Sequence, residues 1–455
     1  MSLSDEELDA SVFGPLDGAL DAGMPEGLLP DPAWAAPLLS LDVEEEYVQK
    51  GKNILKKVLS LCEKHDISDI HFQPDRFVYI ATAEGLVMVE EIEERLRGKD
   101  VVGILLALIY MRESGTSGDV KLQEQERQML ERALSKERCY NFSCAGGLAE
   151  ILEGEGATTA LTRGRFRVQA HFSAAGLGIT CRILKEKITT LEQTGLPKDI
   201  IAAMTQAIRR KSGLCIVSGS TGSGKTTTLA ALIEWVRVNL NKHVVTIEDP
   251  IEYHYEDTMR RSGEDVPANS LITQQEVGRD VHSYQQGLED ALRKRPDIIL
   301  LGEIRDATTM ATCLEAAQTG HLILTTLHTR GAIRTMSRIL EFFPQNQSEA
   351  IMSSLSETLV FVLSQGLLPP DSGNTDQGRV LCAEFLQINT TAAKNSIRKY
   401  KAGESNLENI MNGTCNVRWN DSLTKLRADR KISEETLAEH KNDTPAADMT
   451  KSSKV

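Results

Sequence analysis

The sequence predicts an α/β fold, a mostly parallel sheet around a phosphate-binding loop, with a smaller α+β domain ahead of it. Three observations predict it. Residues 219–226 read Gly219-Ser220-Thr221-Gly222-Ser223-Gly224-Lys225-Thr226. That loop follows the apolar run Leu214–Val217 and precedes a helical stretch over 227–240, the strand–loop–helix setting that a phosphate cradle needs. Beyond it, short apolar runs at Val244–Ile247, Asp297–Leu301 and Leu322–Thr326 alternate with helical segments at 281–293 and 306–318, the βαβ rhythm of a parallel sheet.

Residues 1–43 read as an acidic, flexible tail punctuated by Gly, Pro and Asp, with a short apolar cluster at Trp34–Leu41. The α+β domain is expected over 44–185. Val48–Lys64 has helical spacing, with Ile54, Val58 and Leu61 on one side. Asp69–Phe72 and Phe77–Ala81 read as strands, and Gly85 marks a hairpin turn before Leu86–Val89. Val101–Arg112 and Gln123–Lys136 read as helices, and Thr158–Ala170 and Gly178–Ile183 as strands. A linker follows over 186–198, ending on Gly195-Leu196-Pro197, and the nucleotide-binding domain is expected over 199–412. It opens with a helix over Lys198–Arg210. Further helices are expected over Gly331–Leu340 and Ser348–Leu363, a polar loop over Asp371–Gly378, a strand over Val380–Leu386, and short helical pieces at Ile397–Ala402 and Asn406–Met411. Residues 413–455 read as a helical extension, Leu423–Ala428 and Ser433–Glu439, with a frayed end.

The 455 residues are 41% hydrophobic and 25% charged, ordinary for a globular protein. No run of 18 apolar residues occurs, so no membrane span is expected, and the acidic start reads as no secretory signal. The net charge of −14 argues against a nucleic-acid partner. The first 50 residues hold 12 acidic side chains and one lysine, which leaves the remainder close to neutral. The eight scattered cysteines fit buried free thiols in a reducing compartment, and Cys139 and Cys144 lack a second pair for a structural zinc.

The chemistry lies in four segments. In the loop, backbone N–H groups can turn inward around a phosphate, Lys225 can reach the β and γ phosphates, and Thr226 can hold Mg²⁺. Thr227 adds a hydroxyl to the first helical turn. Together these imply a nucleoside triphosphatase. Val244–Glu252 places Glu248, Asp249 and Glu252 at the end of a strand, where carboxylates can orient water or Mg²⁺. Asp297–Asp306 is an apolar strand ending in Glu303, a Walker-B-like arrangement able to hold the hydration shell of Mg²⁺ or to polarise water. Thr319–Thr329 brackets a strand with His321 and His328. No HExxH spacing occurs, so sensing the γ phosphate or locking the strand end fits these imidazoles better than a metal pair.

In order and spacing these motifs resemble the secretion and pilus motor ATPase superfamily, most closely its pilus-retraction branch, the PilT group. The likeness runs over about residues 50–412. Ser68-Asp69-Ile70-His71 resembles the opening strand of that family's PAS-like amino-terminal domain, and Arg165-Phe166-Arg167-Val168 with Arg182 its arginine-bearing strands. Leu191-Glu192 and Gly195-Leu196-Pro197 resemble its interdomain linker. Glu248–Tyr253 resembles its aspartate box, with Gln275–Gly278 and Asp280 its following strand and turn. Arg293, Pro296 and Asp297–Asp306 resemble its Walker B region, and Thr319–Thr329 its histidine box.

The resemblance implies a RecA-like P-loop core and a cytoplasmic homohexamer beside an inner-membrane pilus or secretion platform protein. It also implies ATP with Mg²⁺ bound between subunits. On it, Gly219 to Thr227, Asp249, Glu252 and His321 contact the nucleotide, Thr226 and Glu303 serve Mg²⁺, and Glu248, Glu303 and His328 act in catalysis. Arg165, Arg167 and Arg182 are its candidate arginine fingers. The sequence departs from the family at the acidic tail, at a polar insert over Arg260–Ser270, and at Ala392–Arg398, which only partly matches the retraction group's carboxyl-terminal motif. An ATPase of a type IV secretion or conjugation system is the alternative, and a nucleotide-gated scaffold with little turnover is the alternative of another class.

Overall fold

In the protein's computed structural model the described residues are 43–62, 67–82, 85–113, 128, 130, 131, 134, 138–145, 165–184, 188–261, 264–371, 378–400 and 416–441. Helix α1 (Glu45–Cys62) is followed by strands β1 (Ile67–Phe72), β2 (Tyr79–Thr82) and β3 (Gly85–Met88), helix α2 (Gly98–Glu113), and strands β4 (Cys139–Ala145), β5 (Arg165–Ser173) and β6 (Gly176–Leu184). The six strands form one antiparallel sheet in the order β3-β2-β1-β6-β5-β4. Ile54, Leu55 and Val58 of α1 and Val101, Ile104 and Leu105 of α2 bury against Phe72, Phe142, Phe166 and Ile179 of the sheet. Asp100 reaches back to accept the Arg97 N–H at 2.7 Å and pairs with Lys50 at 3.1 Å, so the start of α2 is tied to α1.

This domain is α+β, as the alternating patterns predict. Strand β4 is an addition to that reading. Its sequence Cys-Tyr-Asn-Phe-Ser-Cys-Ala mixes apolar and polar residues weakly, and pairing with β5 defines it. Of the helix expected over 123–136, the described residues Gln128, Leu130, Glu131 and Leu134 are helical. The remainder of it, residues 158–164 of an expected strand, 372–377 of the polar loop and the piece at 406–411 lie outside the described residues.

The second body is a seven-stranded sheet in the order β11-β8-β12-β13-β7-β14-β15. Its strands are β7 (Gly213–Ser218), β8 (His243–Glu248), β11 (Leu271–Glu276), β12 (Ile298–Leu301), β13 (Leu322–Leu327), β14 (Leu359–Leu368) and β15 (Val380–Gln387). All neighbours run parallel except the β14–β15 pair. Every residue of β7, β12 and β13 is buried, because helices cover both faces. On one face lie α3 (Lys198–Ala207) and α4 (Lys225–Asn239), packed on Cys215, Val217, Val244 and Leu324. On the other lie α5 (Tyr284–Leu292), α6 (Ala307–Gln318), α7 (Ala332–Glu341), α8 (Ser348–Thr358) and α9 (Thr391–Arg398), packed on Leu214, Ile216, Ile299 and Ile323. Successive residues of β7 thus serve opposite cores.

The helical piece expected from Ile397 begins earlier, as α9 over Thr391–Arg398, and a second element changes type. The helix expected over Ser348–Leu363 ends at Thr358, and Leu359 begins β14, which lies between β7 and β15. The run Leu359-Val-Phe-Val-Leu is apolar at every position, so its period suits a buried helix and a buried strand equally. Two-sided burial in the sheet decides for the strand. The polar insert after the aspartate box is a hairpin, β9 (Thr258–Arg261) with β10 (Glu264–Pro267), leading into the edge strand β11. Helix α10 (Trp419–Ala428) packs Leu423 and Leu426 against Leu368 and Cys382, and α11 (Glu434–His440) follows it. The seven cysteines among the described residues are free thiols, and no described helix is long and apolar enough to cross a membrane.

Candidate active site

The parallel strands all end on one edge of the sheet, and the loops leaving β7, β8, β12 and β13 converge there. The phosphate loop joins β7 to α4. Gly222 and Gly224 take φ of 75° and 86°, a region that a side chain disfavours. Lys225 opens α4 and is buried, its Nζ donating to Gly219 O at 3.0 Å and Ser220 O at 2.9 Å. Burial pulls its pKa below the ordinary lysine value, while the nearby charges of Glu303 and Glu252 act the other way. Both carboxylates therefore lie close enough to feel the loop lysine. Thr226 is exposed beside it, and Thr227 Oγ1 lies 3.2 Å from Tyr253 OH.

Glu248 is the last residue of β8 and is 8% exposed. Its Oε1 accepts from Thr246 Oγ1 at 2.7 Å and Gln274 Nε2 at 3.2 Å. Burial outweighs these bonds and pushes its pKa up to about 7. A carboxyl with that value can exchange a proton near neutral pH. Asp249 follows it and is joined to Pro250 by a cis peptide bond. Its charge, with that of Glu303, acts on Tyr284 and Arg305.

Glu303 lies just past the end of β12, its side chain 16% exposed, between a guanidinium and an imidazole. It pairs with Arg305 and lies 3.2 Å from His328 Nε2. His328 follows β13, the neighbouring parallel strand, so the β12–β13 register brings the two residues together. Thr326 Oγ1 donates to Gly302 O at 2.6 Å and fixes the turn that presents Glu303.

His321 is placed differently. It precedes β13, a strand of six residues, at the edge opposite the loop, where its carbonyl accepts the Gly213 N–H at 3.1 Å. At about 3.3 Å per residue the strand carries it roughly 20 Å from the phosphate edge. Within the chain it does not reach the phosphate edge, contrary to the expected nucleotide contact.

The arginines lie on the amino-terminal sheet. Arg167 and Arg182 are register partners on β5 and β6. Arg167 Nη1 lies 3.8 Å from Glu252 Oε1, so one of the two reaches the aspartate box of the same chain. Arg182 Nε donates to Asp69 Oδ1 at 2.9 Å, within its own sheet. The Arg165 side chain lies outside the described residues.

Thr246, Gln274, Tyr253, Tyr284 and Arg305 join the site without having been singled out in the sequence. Thr246 is two residues before Glu248 on the same strand and so on the same face, a signal the sequence did hold. Gln274 meets Glu248 only through the β8–β11 register.

Fit to Mg²⁺ and a triphosphate follows from the donors. Among the described residues no three His, Cys, Asp or Glu side chains cluster around one point. One hydroxyl and one carboxylate, Thr226 and Glu303, suit an ion that keeps water and takes phosphate oxygens. Ser223 Oγ is buried with no partner inside the loop, and a basic side chain sits at the first turn of α4, as an anion cradle requires.

Fold and site together define a P-loop ATPase with a RecA-like core. A family model described as "Type II/IV secretion system protein" matches residues 157–439, and the chain belongs to that family. It is 39% identical over 240 residues to the "Type IV pilus retractation ATPase PilT" of Pseudomonas aeruginosa, an alignment covering 53% of this chain and 64% of that protein. It is 38% identical over 237 residues to the uncharacterized protein YggR of Escherichia coli, covering 52% of this chain and 67% of that one. The chain spans about two thirds of the length of these curated relatives. The crystal structure of the pilus retraction motor PilT with bound ADP superposes with a TM-score of 0.67 at 30% identity, covering 86% of this chain and 97% of that one.

Proposed function

We propose that the protein is a ring-forming motor ATPase. In this reading six copies on the cytoplasmic side of an inner membrane convert ATP hydrolysis into mechanical work on a type IV pilus machine, in the retraction direction. The observation that carries it is the meeting of Lys225, Glu248 and the Glu303–His328 pair at one edge of the sheet. The likeness to pilus retraction ATPases supports the pilus assignment.

Thr226 and Glu303 would hold Mg²⁺, which when bound offsets phosphate charge. The remaining work falls to the chain. The loop N–H groups and Lys225 hold the phosphates. Glu248, titrating near neutral pH, takes the proton of the attacking water. His328 and Arg305 fix the orientation of the Glu303 carboxylate. Arg167 and Arg182, joined by Arg165, supply cationic charge for the transferred phosphoryl, from the same or a neighbouring subunit.

The family description also covers secretion systems, and the partial match at Ala392–Arg398 keeps a secretion or conjugation ATPase as the second reading. Purification from the native cell envelope separates the two. Recovery with an inner-membrane pilus platform protein supports retraction, and recovery with a secretion or conjugation coupling complex contradicts it. ATP binding without phosphate release would leave only the gated scaffold.

A further inference from the structure

Strand β14 runs past the end of β7. Ser364 pairs with Ser218, the last residue of β7, so Gln365 stands level with Gly219 at the start of the phosphate loop. Gln365 is 3% exposed. Its Nε2 donates to Ser223 O at 2.8 Å. A Cβ on Gly219 would lie 2.3 Å from the Gln365 carbonyl oxygen, and one on Gly224 would lie 3.2 Å from Gln365 Nε2. Gln365 therefore touches both ends of the loop, its backbone carbonyl at Gly219 and its side-chain amide at Ser223 and Gly224. Behind it, a Cβ on Gly366 would lie 2.8 Å from the Trp419 ring. Trp419 in turn is pinned by Nε1 donating to His440 O at 3.2 Å and by its backbone N–H donating to Glu384 Oε2 at 3.3 Å. Ser220, Gln365, Gly366, Trp419 and His440 line one shared cavity.

We propose that Gln365 is a positioning residue for nucleotide binding: it holds the Ser223 carbonyl so that the loop's N–H groups stay turned toward the phosphates, and Trp419 of α10 seats its strand. The peptide unit of Ser223 and Gly224 has two ends. Fixing its carbonyl on the β14 side fixes the direction of the Gly224 N–H, which leaves that carbonyl's opposite side. An amide is the side chain for this work, since only its NH₂ end donates. The proposal rests on the nucleotide-binding reading of the loop but not on turnover.

The experiment is calorimetric titration of the full-length chain with Mg·ADP, with thermal unfolding of the nucleotide-free protein as a folding control. Gln365→Met keeps the length and removes the donor. It is expected to weaken ADP binding about tenfold, equivalent to about 1.4 kcal/mol, with an unchanged unfolding midpoint. Gln365→Glu provides a readout that a merely structural role would not move. Its carboxylate faces the Ser223 carbonyl without a proton to share, so binding is weak near pH 8. Protonation restores a donor, so affinity relative to wild type should recover as the pH falls toward about 5.5. Binding by Gln365→Met within twofold of wild type overturns the proposal. So does a Gln365→Glu deficit that stays flat with pH, or failure of both variants to fold, which would make the residue structural alone. A wild-type chain that binds ADP but releases no phosphate contradicts the motor reading and leaves this inference standing.

Discussion

Glu303 and His328 meet at 3.2 Å across the carboxyl ends of two adjacent parallel strands, β12 and β13. Each residue lies just past its strand, so the pairing is set by sheet register rather than by proximity in sequence. The contact orients a carboxylate that also feels the loop lysine. Glu303→Gln should lower ATP turnover by roughly 10²-fold while nucleotide still binds. His328→Ala should lower turnover by a smaller factor, since it removes one of two partners of Glu303. Steady-state phosphate release and nucleotide titration check this, and equal loss of binding and turnover in Glu303→Gln would assign the residue to structure.

Glu248 makes stability depend on pH. Its carboxyl is raised from 4.5 to about 7 in the folded protein by burial. The contribution of the neutral carboxyl is present in full below about 4.5 and is lost as the pH rises through about 7. In the nucleotide-free protein, Glu248→Gln should therefore be more stable than wild type at pH 8, by on the order of 3 kcal/mol, and about equal at pH 4.5. The same variant should lose turnover by roughly 10²-fold or more. Denaturant unfolding at the two pH values tests the first part, and identical pH profiles of stability would count against it.

Helices α1 and α2 cross at Gly51 and Gly103. A Cβ on Gly103 would lie 2.1 Å from Tyr47 O, and one on Gly51 would lie 2.6 Å from the Gly103 backbone carbon. Gly103→Ala forces the helices apart and should destabilise the amino-terminal domain by about 1–3 kcal/mol. An unfolding midpoint equal to wild type would contradict this crossing.

Arg167 bridges the two folded bodies through Glu252. Both side chains are partly exposed, so the pair itself adds little stability. If its guanidinium serves the nucleotide, Arg167→Ala should reduce turnover far more than ADP affinity, and on the proposed ring reading the specific activity of the wild type should rise with protein concentration. Turnover unchanged in Arg167→Ala would refute this role, and activity independent of concentration in a monomer by light scattering would refute the ring.

Much of this was legible in the sequence, for reasons that particular residues show. The phosphate loop announces itself because glycine spacing, lysine and flanking strand must coincide. Glu248 and Glu303 could be read because each ends an apolar run. The limits arise where partners are distant in the chain. Gln274 meets Glu248 only through pairing of β8 with β11. Strand β14 was hidden because Leu359–Leu363 is apolar throughout and follows a helix directly. That hid Gln365 as well. His321 and His328 bracket one strand and are both expected at the nucleotide site, yet direction along β13 sends only His328 to the phosphate edge.

On the proposed reading the loop at 219–226 drives ATP hydrolysis through Lys225, and Lys225→Ala is the deciding variant. Phosphate release by the full-length wild type and variant should be measured with Mg·ATP at matched protein concentration. Removing the ammonium that lies buried on Gly219 and Ser220 should cut turnover by about 10²-fold or more and weaken nucleotide binding strongly. A folded Lys225→Ala protein that keeps about half or more of the wild-type turnover would contradict the assignment of the site.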